Sequence, residues 1–259
     1  MFKFGVNEIL HKYNVQLFIM EQLNGILFVD IETVPIEPAF GLLSEGMQAE
    51  WVRKSKFVKA SIPGDAEPAT LFDERAGIFS EFAKVVCISF GTITQQDNRW
   101  IMRLKSIAAD DEKKLLNDFS EMLARFIAHY KEIRFCGHNI KEFDIPFLCR
   151  RMVINGIALP TCMQLSGKKP WEINHLDTME MWKFGDHKHF TSLSLLAQVL
   201  GIPSPKGDID GSMVAGVYWN DKDLARISIY CEKDVLTTAK VYLRLKGIVG
   251  MELEPLHVD

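Results

Sequence analysis

The sequence predicts an α/β fold in which a mixed sheet of five strands is flanked by helices. Three strand-like runs precede the first long helical pattern, and two shorter runs then alternate with helices. Strands joined by helical crossovers are expected to be parallel, whereas strands joined by tight turns are antiparallel. The 259 residues are 47% hydrophobic, which suffices for one large core, so we predict a single domain over residues 24–248.

The first strand is predicted at Ile26–Glu32, after an N-terminal extension of residues 1–23. This run is apolar on both faces until carboxylates appear at its end, which is typical of a central buried strand. Residues from about 36 to 82 contain several prolines among short helical patterns, and we interpret them as an insertion without a core of its own.

The later elements follow from hydrophobic spacing and from residues typical of turns and caps. We predict strands at 83–91 and 99–104, a helix at 110–130, a strand at 133–137, a helix at 143–155, a strand at 173–177, a helix capped by Ser192, a final helix at 221–246 and a tail at 249–259.

Charge and cysteine content exclude several classes of protein. The formal net charge of -4 gives no overall positive field, so any contact with nucleic acid must be local. No apolar run approaches the roughly 18 residues that cross a bilayer, and we expect no membrane partner. The five cysteines lack C-x-x-C spacing, which favours buried thiols in the cytoplasm over disulfides or a zinc site.

Two carboxylates lie at the end of the predicted first strand. Asp30 and Glu32 are separated by one residue, and the period of two in a strand places both side chains on one face. Chance is the alternative explanation, because Asp110-x-Glu112 has the same spacing at a helix start, where acidic residues are favoured. The pair alone is therefore weak evidence for a site.

Two further acidic side chains occur at later positions in the fold. Asp144 stands where a strand gives way to a helix and can point into the cleft at the sheet edge, or it caps the helix, with Pro146 in its first turn. Tyr230 and Asp234 are four residues apart on one face of the final helix. A packed tyrosine bonded to a carboxylate would explain that pair without a function.

The combination of these residues is more informative than each alone. Four carboxylates brought together from a strand, a junction and a helix cannot all stay ionised without counterions. Oxygen ligands suit Mg²⁺ or Mn²⁺, and two such ions about 3.5 to 4 Å apart promote in-line attack at phosphorus. The array therefore predicts two divalent cations and hydrolysis of phosphodiester bonds.

The order of these residues resembles the three motifs of the four-acidic-residue 3′-5′ exonucleases, in the subgroup with Tyr before the last Asp. The resemblance, over about 25–246, is greatest to predicted stand-alone exonucleases related to the proofreading domain of family B DNA polymerases. It implies a ribonuclease-H-like fold with strand order 3-2-1-4-5 and strand 2 antiparallel. The residues that carry it are Asp30-Ile31-Glu32-Thr33, Asn139 with Phe143-Asp144, and Tyr230-x-x-x-Asp234.

The resemblance also implies a role for each acidic residue and for the tyrosine. Asp30 would bridge both metal ions, Glu32 and Asp234 would hold the ion that binds the attacking water, and Asp144 would serve the second ion. Tyr230 would orient the water, since a phenol with a pKa of ~10 is a poor base at neutral pH.

Substrate contacts are expected from several other residues. The resemblance places Thr33, Asn139 and Phe143 around the terminal nucleotide. Residues 51–59 combine basic and aromatic side chains that can track a single strand, or they form a solvated helix face with its aromatic rings buried. Lys168-Lys169-Pro170-Trp171 and Lys206 are further candidates.

The sequence therefore predicts a metal-dependent 3′-5′ exonuclease that releases nucleoside 5′-monophosphates from single-stranded DNA, with a role such as DNA repair. An exoribonuclease on the same scaffold is the nearest alternative, because no motif senses the 2′-hydroxyl group. A non-catalytic nucleic-acid-binding relative is the other alternative. The retention of four carboxylates and Tyr230 argues against it, because such a relative could lose any of them at no cost to folding.

Overall fold

The structure, a computed structural model, describes residues 16, 19–58, 67–130, 132–186, 190–203 and 208–258. Its centre is a six-stranded sheet in the order β5-β4-β1-β2-β3-β6. The strands are β1 (Ile26–Pro35), β2 (Ala83–Gln96), β3 (Arg99–Ala108), β4 (Arg134–Gly137), β5 (Leu176–Asp177) and β6 (Leu253–His257). The helices are α1 (Glu45–Val58), α2 (Pro68–Arg75), α3 (Glu112–His129), α4 (Asp144–Ile154), α5 (Thr178–Lys183), α6 (Leu193–Val199) and α7 (Leu224–Leu245).

The predicted α/β class and strand order are confirmed. β2 is antiparallel to both β1 and β3, whereas β4 is parallel to β1 and to β5. Asp97 and Asn98 join β2 to β3 with φ angles of 49° and 60°, a left-handed pair that suits a two-residue hairpin turn. Ser192 caps α6 as predicted, by accepting the Leu195 backbone N–H.

The prediction of five strands is wrong by one, because residues 253–257 form β6, parallel to β3. Only Leu253 of this strand is buried, so the segment lacks the alternation of apolar and polar residues by which a strand is recognised. Pro255 also argues against a strand, although proline is tolerated at the edge of a sheet. Most of the predicted N-terminal extension, residues 1–15, 17 and 18, lies outside the described residues.

Both faces of β1 are covered by helices, which explains its nearly continuous apolar sequence. Leu27, Val29 and Ile31 pack in the cluster that contains the apolar side chains of α3 and α4. Ile26 and Phe28 point the other way and pack in the cluster that contains Val235, Ala239 and Tyr242 of α7. Residues at even positions of β1 therefore face α7.

The insertion contains a small core, so the prediction that it has none is wrong. Trp51 is fully buried, and its Nε1–H donates to the Pro68 carbonyl at 2.7 Å. The rings of Phe72, Phe79 and Phe82 surround it, with centroids 5.0 to 6.0 Å away. Burial also excludes Trp51 from base stacking, whereas Phe57 in the same helix is 82% exposed.

A buried ion pair joins the beginning of α3 to α4. Arg151 donates from Nε and Nη2 to both oxygens of Glu112 at 2.8 and 2.5 Å, and from Nη1 to the Ser80 carbonyl at 2.9 Å. Glu112 also accepts the Val85 backbone N–H at 2.8 Å. The pair thus connects two helices, the end of the insertion and β2.

No helix in the described ranges is long and apolar enough to cross a membrane.

We expect Arg151→Ala to lower the free energy of unfolding by about 3–5 kcal/mol, because it leaves Glu112 buried without its counterion. Arg125→Ala is the matched control, since Arg125 pairs with Glu121 on the surface of α3 at 3.7 Å and both side chains are exposed. The control should change stability very little. Urea denaturation of both variants is the measurement, and equal losses would contradict the prediction.

Candidate active site

β1 supplies two carboxylates to the face that α7 covers. Asp30 and Glu32 continue the row of even residues that begins with Ile26 and Phe28, so both point towards α7. Their carboxylate oxygens lie within 4.8 Å of each other, and Glu32 is only 8% exposed. A register shift follows directly, between Glu32 and Thr33. The predicted proximity of the two acids is therefore present.

The third carboxylate, Asp144, comes from the first residue of α4. Its side chain is 3% exposed, and Oδ1 accepts the Ile31 backbone N–H at 3.2 Å. This hydrogen bond fixes Asp144 beside β1, at the residue between Asp30 and Glu32. The alternative that Asp144 caps the helix is wrong, because the N-cap position is Phe143, whose side chain makes no capping bond.

α7 supplies the remaining side chains of the site, which are Tyr230, Cys231 and Asp234. The Tyr230 hydroxyl donates a hydrogen bond to Asp234, four residues along the helix. The Cys231 thiol donates to Asp30 Oδ2 at 3.3 Å. Sequence reasoning missed Cys231, although it stands beside Tyr230 in the motif and on the apolar stripe of the helix. The charges of Asp144 and Asp234 both act on Asp30 and Glu32, so these four carboxylates are neighbours. Among the described residues, the potential ligand atoms that lie within 4.8 Å of one another are those of Asp30, Glu32 and Cys231.

Burial and mutual repulsion favour protonation of these carboxyl groups. The pKa values of Asp30 and Glu32 are raised well above their usual range, first by burial and then by neighbouring carboxylates. Burial raises the pKa of Asp144 to about 7 and that of Asp234 to about 6, against the opposing effect of the hydrogen bonds from Ile31 and Tyr230. Burial and Asp234 also raise the pKa of Tyr230, which excludes a phenolate as base.

The residues that the structure describes provide no counterion for the cluster. None of the four carboxylates forms an ion pair with a lysine, arginine or histidine among the residues that the structure describes. Carboxylates crowded together in this way need protons or cations. Their oxygen atoms are ligands that Mg²⁺ and Mn²⁺ prefer, so the donor set fits divalent cations.

A cavity of about 280 Å³ opens onto Glu32 and Phe143. The insertion forms part of its wall through Asp73, Glu74, Gly77 and Ile78, a contribution that the sequence did not reveal. Thr33 donates its hydroxyl hydrogen to the Gly77 carbonyl at 2.7 Å, so it attaches the insertion to β1. The contact of Thr33 with substrate stays a prediction. We restrict it to the backbone, because the hydroxyl hydrogen is already donated to Gly77.

The other predicted substrate contacts have different positions. Asn139 has a φ of 66° and lies in a neighbouring cavity, and its backbone N–H donates to Asp177 at 3.0 Å. Phe143 lies in the wall of the Glu32 cavity and its ring is 5.4 Å from that of Phe147. Lys206 lies outside the described residues.

The comparison with solved structures includes a family B DNA polymerase from the hyperthermophilic archaeon Pyrobaculum calidifontis. The two share 16% sequence identity with a TM-score of 0.48, over 84% of this chain and 24% of the polymerase chain. This chain therefore spans about a quarter of that protein. No curated protein matches the sequence.

A family model matches residues 78–255, a range that includes Asp144, Tyr230 and Asp234 but not β1. Asp30 and Glu32 lie outside the matched range, and we assign them to the site from the geometry described above. The match extends over more than two thirds of the sequence. The chain belongs to the family of predicted 3′-5′ exonucleases related to the exonuclease domain of PolB.

Proposed function

We propose that the protein is a metal-dependent 3′-5′ exonuclease that removes nucleoside 5′-monophosphates from the 3′ end of single-stranded DNA. The observation that carries this proposal is the cluster of four carboxylates, with Glu32 and Asp144 buried and Asp30 and Asp234 half-buried, for which the described residues provide no counterion. Such a cluster lowers the stability of the folded protein, and the binding of divalent cations by a nuclease would account for its presence.

Four side chains would hold the cations. We assign Asp30 to both ions, Glu32 and Asp234 to one, and Asp144 to the other. When bound, two divalent cations neutralise charge on the phosphodiester and activate water for attack at phosphorus. The Ile31 backbone N–H keeps Asp144 in place for this task, and the Cys231 thiol does the same for Asp30.

Tyr230 would act by hydrogen bonding and not as a base. Its hydroxyl already donates to Asp234, which leaves the phenol oxygen able to accept a hydrogen bond from a water molecule. That arrangement suits a residue that orients the attacking water. Phe143 and the insertion would enclose the terminal nucleotide, since they form the walls of the cavity beside Glu32.

The test of the proposed function is digestion of 5′-labelled single-stranded DNA with Mg²⁺ or Mn²⁺. The labelled strand should shorten progressively, a blocked 3′ hydroxyl should protect it, and EDTA should stop the reaction. Asp30→Ala and Asp234→Ala should abolish nucleotide release while the protein stays folded, because each removes a ligand. Glu121→Ala, which changes an exposed acid on α3, is the control.

Hydrolysis by folded Asp30→Ala at the wild-type rate would contradict the proposal. Early release of the 5′ label as a mononucleotide would contradict the polarity. A matched RNA strand in the same assay decides between DNA and RNA, since faster digestion of RNA would replace the DNA assignment by the exoribonuclease.

Without divalent cations, we expect the stability of the protein to fall as the pH rises from 5 to 8. The carboxyl groups of Asp144 and Asp234 titrate near pH 7 and 6 in the folded state, whereas their usual value is 3.8. The folded protein therefore holds protons that the unfolded chain has released, and that advantage is lost as the pH rises through the folded values. A loss of about 1 kcal/mol lowers the Tm by about 2–4 °C.

Scanning calorimetry in EDTA at several pH values measures this dependence. Asp144→Asn should flatten it, because the amide oxygen can still accept the Ile31 N–H while the charge is absent. Asp118→Asn, on the exposed surface of α3, should behave as the wild type. A slope that is the same in Asp144→Asn and the wild type would exclude the buried carboxyl group of Asp144 as a cause.

Tyr230→Phe should slow hydrolysis by about 10- to 1000-fold and leave metal affinity almost unchanged, because it removes one orienting hydrogen bond. Asp234→Ala should weaken metal binding itself, since it removes a ligand. Calorimetric titration with Mn²⁺ beside single-turnover rates separates the two effects. Equal losses of metal binding would show that the phenol only packs α7 against the sheet.

A further inference from the structure

A sulfur atom lies among the carboxylate oxygens of the candidate active site. The Cys231 sulfur is 3.3 Å from Asp30 Oδ2 and 3.4 Å from the Asp30 backbone carbonyl oxygen. This sulfur, one carboxylate oxygen of Asp30 and one of Glu32 all lie within 4.8 Å of one another. The Cys87 thiol contacts that of Cys231 but is not part of this group. The site therefore offers a metal ion one soft ligand beside two hard ones.

The distances fit one metal ion held by sulfur and oxygen together. A zinc ion binds thiolate sulfur at about 2.3 Å and carboxylate oxygen at about 2.0–2.2 Å, so two such ligands in tetrahedral geometry are about 3.6 Å apart. The Cys231 sulfur and Asp30 Oδ2 are separated by 3.3 Å, which is close to that value. A zinc ion between them therefore requires only a small movement of either side chain.

Glu32 provides a second and independent indication of a cation at this place. It is 8% exposed, and its carboxylate forms no hydrogen bond or ion pair with any residue in the described ranges. A buried carboxylate without a donor destabilises the protein unless a proton or a cation compensates it. Asp30 beside it is half-buried, so ions from solvent have access to the group.

We propose that Cys231, Asp30 and Glu32 form a binding site for Zn²⁺, and that Zn²⁺ bound there inhibits the enzyme. When the ion binds, the Cys231 thiol releases its proton to solvent, and a sulfur–metal bond replaces its hydrogen bond to Asp30. Mg²⁺ and Mn²⁺ prefer oxygen ligands and leave the thiol protonated. Cys231 thus makes the site discriminate between thiophilic cations and the cations that support hydrolysis.

Inhibition follows from competition for the same carboxylates. Asp30 and Glu32 are proposed ligands of the catalytic cations, so an ion that binds both of them and Cys231 displaces those cations. Zn²⁺ binds a given site more tightly than Mn²⁺, and a thiolate ligand increases this preference. The inhibition rests on the proposed function, whereas the binding of Zn²⁺ does not.

Absorption spectroscopy with Co²⁺ tests the sulfur ligand directly, because Zn²⁺ has a filled d shell and no spectrum of its own. Titration of the wild-type protein without nucleic acid should produce a sulfur-to-cobalt charge-transfer band, and added Zn²⁺ should remove it. Cys231→Ser should lack the band, although the serine hydroxyl can still donate to Asp30. Cys149→Ser should keep it, since the Cys149 thiol donates to the Met163 carbonyl at 3.4 Å and lies outside the site.

Calorimetry separates the thiol from the oxygen ligands. Cys231→Ser should weaken Zn²⁺ binding by more than about 10-fold, because loss of even an outer group around a metal has that effect. Its affinity for Mn²⁺ should stay almost unchanged, since Mn²⁺ uses the carboxylates. A merely structural role of the thiol would alter both affinities alike. In the hydrolysis assay with Mg²⁺, Cys231→Ser should require more Zn²⁺ for inhibition than Cys149→Ser does.

Two results would overturn the inference. One is a Co²⁺ spectrum of the wild-type protein without a sulfur-to-cobalt band, a result that needs no variant to fold. The other is an equal change of Zn²⁺ and Mn²⁺ affinity in folded Cys231→Ser. Failure of the proposed function is distinguishable, since it would appear as an absence of hydrolysis with Mg²⁺ before any Zn²⁺ is added, whatever the Co²⁺ spectrum shows.

Discussion

Repulsion in a cluster of four carboxylates, two buried and two half-buried, is the constraint on which the rest of this structure depends. Three of them receive one neutral donor each, from a backbone amide, a thiol and a phenol. Neutral donors lower the cost of burial without cancelling the charge. A lysine or arginine in their place would cancel it and would also compete with a cation. The surroundings therefore hold the carboxylates in position and leave their charge uncompensated.

The buried carboxylate of Glu112 has very different surroundings in the same protein. Glu112 receives a bidentate arginine, a backbone N–H and the Asn155 side-chain amide. Its charge is fully compensated, and its effect is to join helices to the sheet. Among the described residues Asp30 has no such compensation, which is therefore a property of the site and not of how this fold surrounds acids generally. That contrast within one chain supports a function for the cluster.

Much of the fold and of the candidate site could be predicted from the sequence, because β1 encodes both. Its apolar run marks a strand covered on two faces, and the spacing of Asp30 and Glu32 places both on the face of α7. Contacts between residues far apart in sequence could not be predicted. Arg151 contacts Glu112, and Thr33 contacts Gly77, only in the folded chain. No local sequence pattern predicts either contact.

The small core of the insertion and the strand β6 could not be predicted from the sequence for a second reason. Trp51 is buried by phenylalanines that come from separate short elements, so no periodic pattern shows the small core. β6 pairs through its backbone at the edge of the sheet, where its side chains need no hydrophobic pattern. Sequence reasoning is strongest where burial imposes a period, and both segments lack one.

The position of the insertion also gives the cavity beside Glu32 an acidic wall. On the active-site side, the wall carries Asp73 and Glu74 in addition to Glu32. A polyanionic strand is repelled by this wall wherever cations do not compensate it. Entry of a phosphodiester into the cavity therefore depends on the cations that the neighbouring carboxylates are proposed to hold.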